Sequence, residues 1–223
     1  MIPLYLSRLT LNPEHGQARR DLAGPYDLHR TLARAFGDAP EGHHRAHHGI
    51  LFRVEDPSSG GVPVLVQSTS VPRWEHLEPG YLARLDGPKT FEPAFVEGQQ
   101  LRFRLIANPV RRVNAEGKRH PRREALVHPR AKDGIPTGYL DWLDRQLARY
   151  GAEAAEVADV PFRIDRKRKA GKSRLPKDRI PHFGVRFDGT LTVTDPERLA
   201  GAVAEGIGAA KAFGFGLLSV ARV

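Results

Sequence analysis

The same order of elements is written into this chain twice. Leu4–Leu11 sets Leu4, Leu6, Leu9 and Leu11 against Ser7, Arg8 and Thr10, the alternation of a strand with one buried face. Leu101–Ala107 does the same with Leu101, Phe103 and Leu105 against Arg102 and Arg104, so its polar face is cationic. Each strand is followed by an amphipathic helix. Gly24-Pro25 opens the first, with proline at the first helical position; Leu28, Leu32 and Phe36 line one face and Gly37 closes it. Gly49–Glu55 and Val62–Ser68 then read as strands around the turn residues 56–61, and less regular sequence completes the unit through residue 92. In the second half, Tyr139, Leu140, Leu143 and Leu147 mark a helix over 137–150 that stops at Gly151. Val160–Ile164 and His182–Phe187 read as strands flanking a long basic connection. Asp188-Gly189 reads as a tight turn before a further strand, Thr190–Val193. Asp195-Pro196 opens a helix with Leu199, Val203 and Ile207 on its apolar face, and Leu217–Val220 is the last strand. This order predicts an α+β protein of two tandem ferredoxin-like (β-α-β-β-α-β) domains, residues 1–92 and 97–223.

Composition narrows the chemistry. The chain has 223 residues, of which 40% are hydrophobic, enough for a substantial core. It has no apolar run of about 18 residues, so no membrane span is expected. Met1–Arg8 lacks the basic start, apolar middle and small-residue cleavage site of a secretory signal, and a cytoplasmic protein is expected. Zero cysteines exclude disulfides, thiolate metal sites and cysteine nucleophiles, leaving histidine, tyrosine, serine, carboxylates and cations. Charge is lopsided. Residues 1–95 carry 10 Lys and Arg against 11 Asp and Glu, whereas residues 96–223 carry 25 against 15. A surplus confined to one half points to a polyanion-binding face.

Four stretches are candidates for function. Tyr26 and His29 are three apart in the first turn of the first helix, off its apolar stripe. Unpaired amides and the positive end of the dipole there favour phosphate, and an imidazole can take a proton from a ribose 2′-hydroxyl or give one to a leaving oxygen. A surface histidine beside a half-buried tyrosine is the competing reading. His43, His44, His47 and His48 include i,i+4 pairs that suit a metal, yet no acidic partner motif accompanies them and Gly42 and Gly49 disfavour a helix, so a solvated loop is expected. Arg163–Arg179 holds nine cations, among them Arg163, Arg166, Lys167, Arg168, Lys169 and Lys172, suited either to phosphates along an RNA groove or to a plain connector. A second cationic cluster, Arg111 to Arg123, follows the second unit's first strand. Finally Gly206–Ser219, with Lys211, Gly214 and Gly216, enters a strand from a helix, the reverse of a Walker or dinucleotide loop. It reads equally as a structural turn or as an RNA contact.

Several of these stretches resemble a known family. Arg20-Asp21-Leu22 through Tyr26-Asp27-Leu28-His29, Leu51–Glu55, Leu65–Ser68, Phe103–Pro109, Phe187–Leu191 and Gly206–Ser219 run in the order found in the CRISPR repeat-RNA endoribonucleases of the CasE type, from the subtype I-E Cascade complex. The resemblance implies two ferredoxin-like domains and cleavage of precursor CRISPR RNA at the base of each repeat stem-loop, without metal or cofactor. It implies attack by the 2′-hydroxyl, giving a 2′,3′-cyclic phosphate, and retention of the product for the other Cascade subunits. The family's catalytic histidine and tyrosine fall on His29 and Tyr26. Its assisting cation falls nearest Arg34, with Arg30 beside it. The basic connection would enter the stem's groove, and Lys211, Gly214 and Gly216 would support RNA at the domain junction. The His43–His48 cluster is no part of the family's pattern.

Overall fold

The computed structural model describes residues 3–40, 43–114, 122–131, 137–164 and 182–223. Strands β1 (Leu4–Leu11), β2 (Leu51–Val54), β3 (Val62–Ser68) and β4 (Leu82–Phe91) form an antiparallel sheet in the order β2-β3-β1-β4. The second half contributes β5 (Gln100–Ala107), a separate hairpin of β6 (Val110–Val113) and β7 (Arg122–Ala125), then β8 (Ala152–Ile164), β9 (His182–Val193) and β10 (Leu218–Arg222). Its sheet runs β10-β5-β9-β8. In both sheets the first and third main strands lie side by side at the centre, the ferredoxin-like order. Among the described residues no helix is long and apolar enough to cross a membrane.

Helices cover one face of each sheet and bury two cores. α1 (Gly16–Leu22) and α2 (Pro25–Ala33) place Ala18, Leu28 and Leu32 against Leu9, Leu11, Phe52, Val64 and Tyr81. α4 (Tyr139–Arg149) and α5 (Pro196–Glu205) place Leu143, Leu147, Leu199 and Val203 against Phe103, Leu105, Val185 and Phe187. Each fully buried leucine contributes about 2 kcal/mol. Leu4 of β1 packs into the second core, so the two units share apolar surface. At the first core's edge, the buried Tyr81 hydroxyl donates to Asp21 Oδ2 at 2.8 Å. Burial and that carboxylate push the phenol well above its usual range. Tyr81→Phe leaves a nearly inaccessible carboxylate without this donor and is expected to destabilise the fold by about 1–3 kcal/mol in urea unfolding.

The structure departs from the sequence expectation in several places, each with a local reason. α1 was not foreseen, because only Ala18 and Asp21 of its seven residues are buried and no apolar stripe exists to be seen. α2 ends at Ala33 rather than at Gly37. The amides of Arg34, Ala35 and Phe36 bond three residues back, a tightened turn that satisfies the helix's last carbonyls while keeping Phe36 buried. The first unit's second helix is only a 3-10 turn, Trp74–His76, in a connection broken by Pro72 and Pro79, and the irregular stretch after it is strand β4. β8 begins at Ala152, not Val160. Its Ala- and Glu-rich start has low strand preference, and pairing with the long β9 overrides it. Asp188-Gly189 is no turn. β9 runs straight through it, and Gly189 faces a bulge in β8 where a Cβ would stand 3.1 Å from both the Glu156 carbonyl and the Phe103 ring. The second cationic cluster is in part the β6–β7 hairpin rather than a loop.

Candidate active site at the junction of the two units

Gly24 caps α2 in an extended conformation and Pro25 occupies its first turn, fixing where Tyr26 and His29 project. Neither belongs to the buried Leu28/Leu32 stripe. Tyr26 is 46% exposed and its ring lies parallel to that of His29, with centroids 6.3 Å apart. His29 is half-buried, with its ring 6.3 Å from that of Phe52 on β2. Among the described residues its Nε2 is cut off from solvent and has no hydrogen-bond partner. Burial above all, then the charge of Arg45 and of His44, lowers its pKa to about 4. The ring is therefore neutral at physiological pH, with a lone pair to accept a proton.

The second unit supplies the facing wall. Beyond α5 the Gly-rich segment makes a 3-10 turn, Lys211–Phe213, entered through Ala210 at φ 60°. Phe213 packs its ring 5.7 Å from Tyr26 and 4.3 Å from His182, at the start of β9. Lys211 Nζ donates to the Glu205 carbonyl at 2.7 Å, and burial and Arg45 lower its pKa. Gly214 and Gly216 serve close packing here. A Cβ on Gly214 would stand 3.1 Å from the Phe52 ring, and one on Gly216 would stand 2.8 Å from the Ile207 carbonyl. Both amides are engaged, Gly214 N donating to Lys211 O and Gly216 N to Ile106 O. Two stretches 180 residues apart in sequence thus share one site.

Arg45 is the functional candidate that sequence reasoning missed. It lies on α3 (His44–His47), a single helical turn formed where a solvated loop was expected. It is half-buried, has no ion-pair partner among the described residues, and its charge reaches both His29 and Lys211. Its burial between histidines hid it; an isolated cation in a His-rich run carries no periodic signal. The histidines themselves are structural. His44 and His48 each direct Nε2 to the Gly37 carbonyl at 3.1 Å, and the buried His48 meets Ser70 Oγ through Nδ1 at 2.9 Å. No group of three possible metal ligands is found among the described residues.

The other predicted cations are spread out. Arg30 is exposed and loosely paired with Asp27 at 3.9 Å. Arg34 lies about 140° around the helix from His29 at 100° per residue, and pairs with Glu78 at 3.8 Å. Both partners of that pair are more than half exposed, so little energy holds Arg34 away from a competing phosphate. Arg163 is exposed near the end of β8, beside a small cavity lined by Ala125, Val127 and Phe183. Arg166, Lys167, Arg168, Lys169 and Lys172 lie outside the described residues.

What the geometry assembles is a neutral imidazole, an accessible phenol and two half-buried cations around one seam. Such a set can deprotonate a hydroxyl next to an anion. Comparison with known proteins gives the same seam a family. The model of a family described as CRISPR associated protein matches residues 4–222. The chain is 41% identical to the CRISPR-associated endoribonuclease Cse3 of Thermus thermophilus, over 98% of this chain and all of that one. It is 32% identical to the CRISPR system Cascade subunit CasE of Escherichia coli, over 98% and 99% of the two chains. The solved structure of Thermus thermophilus Cse3 bound to an RNA representing a pre-cleavage complex superposes with a TM-score of 0.79 at 36% identity, covering 98% of this chain and 99% of that one. With the family model and both relatives matched over nearly every residue, this chain belongs to the CRISPR-associated protein family that includes Cse3 and CasE.

Proposed function

We propose that the protein is an endoribonuclease that cleaves precursor CRISPR RNA at the base of the repeat stem-loop and keeps the product for the other subunits of a Cascade complex. The observation that carries this reading is His29 Nε2, without a partner among the described residues, in a ring that burial and the charge of Arg45 keep neutral. His29 takes the proton of the 2′-hydroxyl, whose oxygen attacks the adjacent phosphorus. The bond from phosphorus to the 5′-oxygen breaks, and the products are a 2′,3′-cyclic phosphate and a 5′-hydroxyl. The nucleophile is within the substrate, so no metal-activated water is required. Tyr26, stacked on His29 and open to solvent, positions the ribose or hands a proton to the leaving oxygen. Arg45 and Lys211 meet the charge that develops on the phosphorane, and Arg34 is a further cation able to swing from Glu78 to phosphate. Arg30, Arg163 and the basic residues Arg166 to Lys172 hold flanking phosphates, with Gly214 and Gly216 shaping the turn that presents Lys211. Binding of this kind weakens as salt rises, because each neutralised phosphate releases a counterion.

The test is cleavage of a cognate repeat RNA in EDTA, followed by end-group analysis. Undiminished cutting with a cyclic phosphate end is expected; a 3′-hydroxyl product, or cutting abolished by EDTA, overturns the reading. The pH profile is a separate prediction. Protonating His29 removes its lone pair, so activity falls as pH drops through its pKa. With that pKa at about 4 in the free protein, kcat/KM stays level from pH 8 to below 6 and declines near 4, well beneath the 6.5 of an ordinary imidazole.

A further inference from the structure

The described seam contains one buried cation that plays no part in the chemistry above. Arg53 of β2 is 4% exposed. Its Nε and Nη2 donate to Glu55 Oε1 on its own strand, at 2.8 and 2.6 Å. Its Nη1 reaches into the other unit, 3.0 Å from Ser219 Oγ and 3.4 Å from the Leu217 carbonyl, with the Arg104 carbonyl at 3.5 Å. Glu55 is also met by Arg104 Nη1 at 3.2 Å, and Arg104 Nε donates to Asp188. Four stretches separated in sequence, 51–55, 103–109, 187–191 and 217–219, are thus joined by one polar network.

The neighbouring residue on β2 explains what the network holds. Successive strand residues face opposite sides. Arg53 faces the second unit's sheet, whereas Phe52 lies in the layer of α2, touching His29 and closing on Gly214. Next to it, Leu51 lies against Gly206, and Gln67, its register partner on β3, donates to the Val203 carbonyl at 2.7 Å. β2 is therefore the strand on which the two halves of the site are referenced to each other. Burying a guanidinium is costly, and the donors of its Nη1 find partners only when both units are in place.

We propose that Arg53 is a positioning residue for RNA cleavage: by bolting β2 to β10, it holds Phe52, and through Phe52 the His29 ring, in register with the Lys211–Phe213 turn. The proposal rests on the cleavage reading above for its consequence, though not for its geometry. Arg53→Met keeps an unbranched stem, removes the bonds to the other unit together with both bonds to Glu55, and leaves Glu55 its Arg104 partner. Two measurements are expected to move. Without RNA, the His29 ring resonances titrate closer to the ordinary 6.5, because the loosened seam admits water to the imidazole. With repeat RNA at saturating protein, the single-turnover cleavage constant falls about 10–100-fold, the penalty of a small misplacement of a reacting group, while RNA affinity changes much less. Arg53→Lys, with one ammonium to span Ser219 and Glu55, falls between the two. Tyr81→Phe, which removes a bond within the first unit and none between the units, moves neither measurement and separates positioning from stability. Should Arg53→Met not fold, Arg53→Lys and Ser219→Ala are read in the same two ways. An unshifted His29 titration in the folded variants, or unchanged cleavage by them, overturns the proposal. Absence of cleavage by the unaltered protein instead overturns the cleavage reading, and the titration then decides on Arg53 alone.

Discussion

His29→Ala is expected to lower single-turnover cleavage of repeat RNA by about 10²–10⁴-fold, a barrier raised by about 3–5 kcal/mol. The affinity for the same RNA is expected to hold, because the phosphate-binding cations are other residues. The reasoning is local. The 2′-hydroxyl is a poor nucleophile until its proton is removed, and His29, beside Tyr26 at this seam, offers an imidazole nitrogen with no partner among the described residues. Tyr26 carries a phenol rather than a basic nitrogen, while Lys211 and Arg45 are donors. An alanine at 29 also removes a ring that touches Phe52, so unfolding in urea should be followed in parallel. A variant that binds RNA tightly and still cuts it at the original rate would transfer the base role to another group.

Gly216→Val is expected to be the most damaging single change outside the reacting groups. Gly216 has φ 92°, and its added Cβ would lie 2.8 Å from the Ile207 carbonyl. Its amide donates to Ile106 O at 2.7 Å and its carbonyl accepts from Ile207 N at 2.8 Å, so the backbone cannot retreat without breaking both bonds. A β-branched residue held in this left-handed region costs about 1–3 kcal/mol before the clash is counted. Unfolding at lower urea, together with loss of cleavage, is the expected pair of results, since the displaced segment carries Lys211 and Phe213 to the site. Gly201 provides the contrast. It sits in α5 with open space around its Cβ position, and Gly201→Ala is expected to stabilise the protein by about 1 kcal/mol and leave cleavage alone. If Gly216→Val unfolds like the unaltered protein, the packing described for the Gly-rich segment is wrong.

Strands with a clean alternation were legible to the residue: Leu4–Leu11 and Val62–Ser68 have the bounds expected of them. What escaped was structure imposed from a distance. Nothing in Ala152–Asp159 favours a strand until β9 lies beside it, and Asp188-Gly189 looks like a turn unless the β8 bulge that needs a missing side chain is known. Tyr26 and His29 could be picked out because both their spacing and their position at a helix start are local properties. Their meeting with Lys211 and Phe213 is tertiary, and no pattern within either stretch announces it. Arg45 and Arg53 were invisible for a related reason. A lone arginine in a polar loop or on an alternating strand is normally solvated; here the turn of α3 leaves Arg45 half-buried, and the second unit's approach buries Arg53. The basic residues 166–172 remain a reading of charge alone.

The split of the site across the seam has a consequence for synthesis. As the ribosome releases the polypeptide, residues through Phe91 can close their sheet and present Tyr26 and His29 long before the segment with Lys211 and Phe213 exists. A nascent chain at that stage holds His29 and Arg45 without Lys211 and Phe213, and on the cleavage reading proposed above it is expected to be inert toward any transcript it meets. On that reading competence is expected to arrive only when the second sheet docks, so that completion of folding, with no separate activator, would switch on the power to cut RNA.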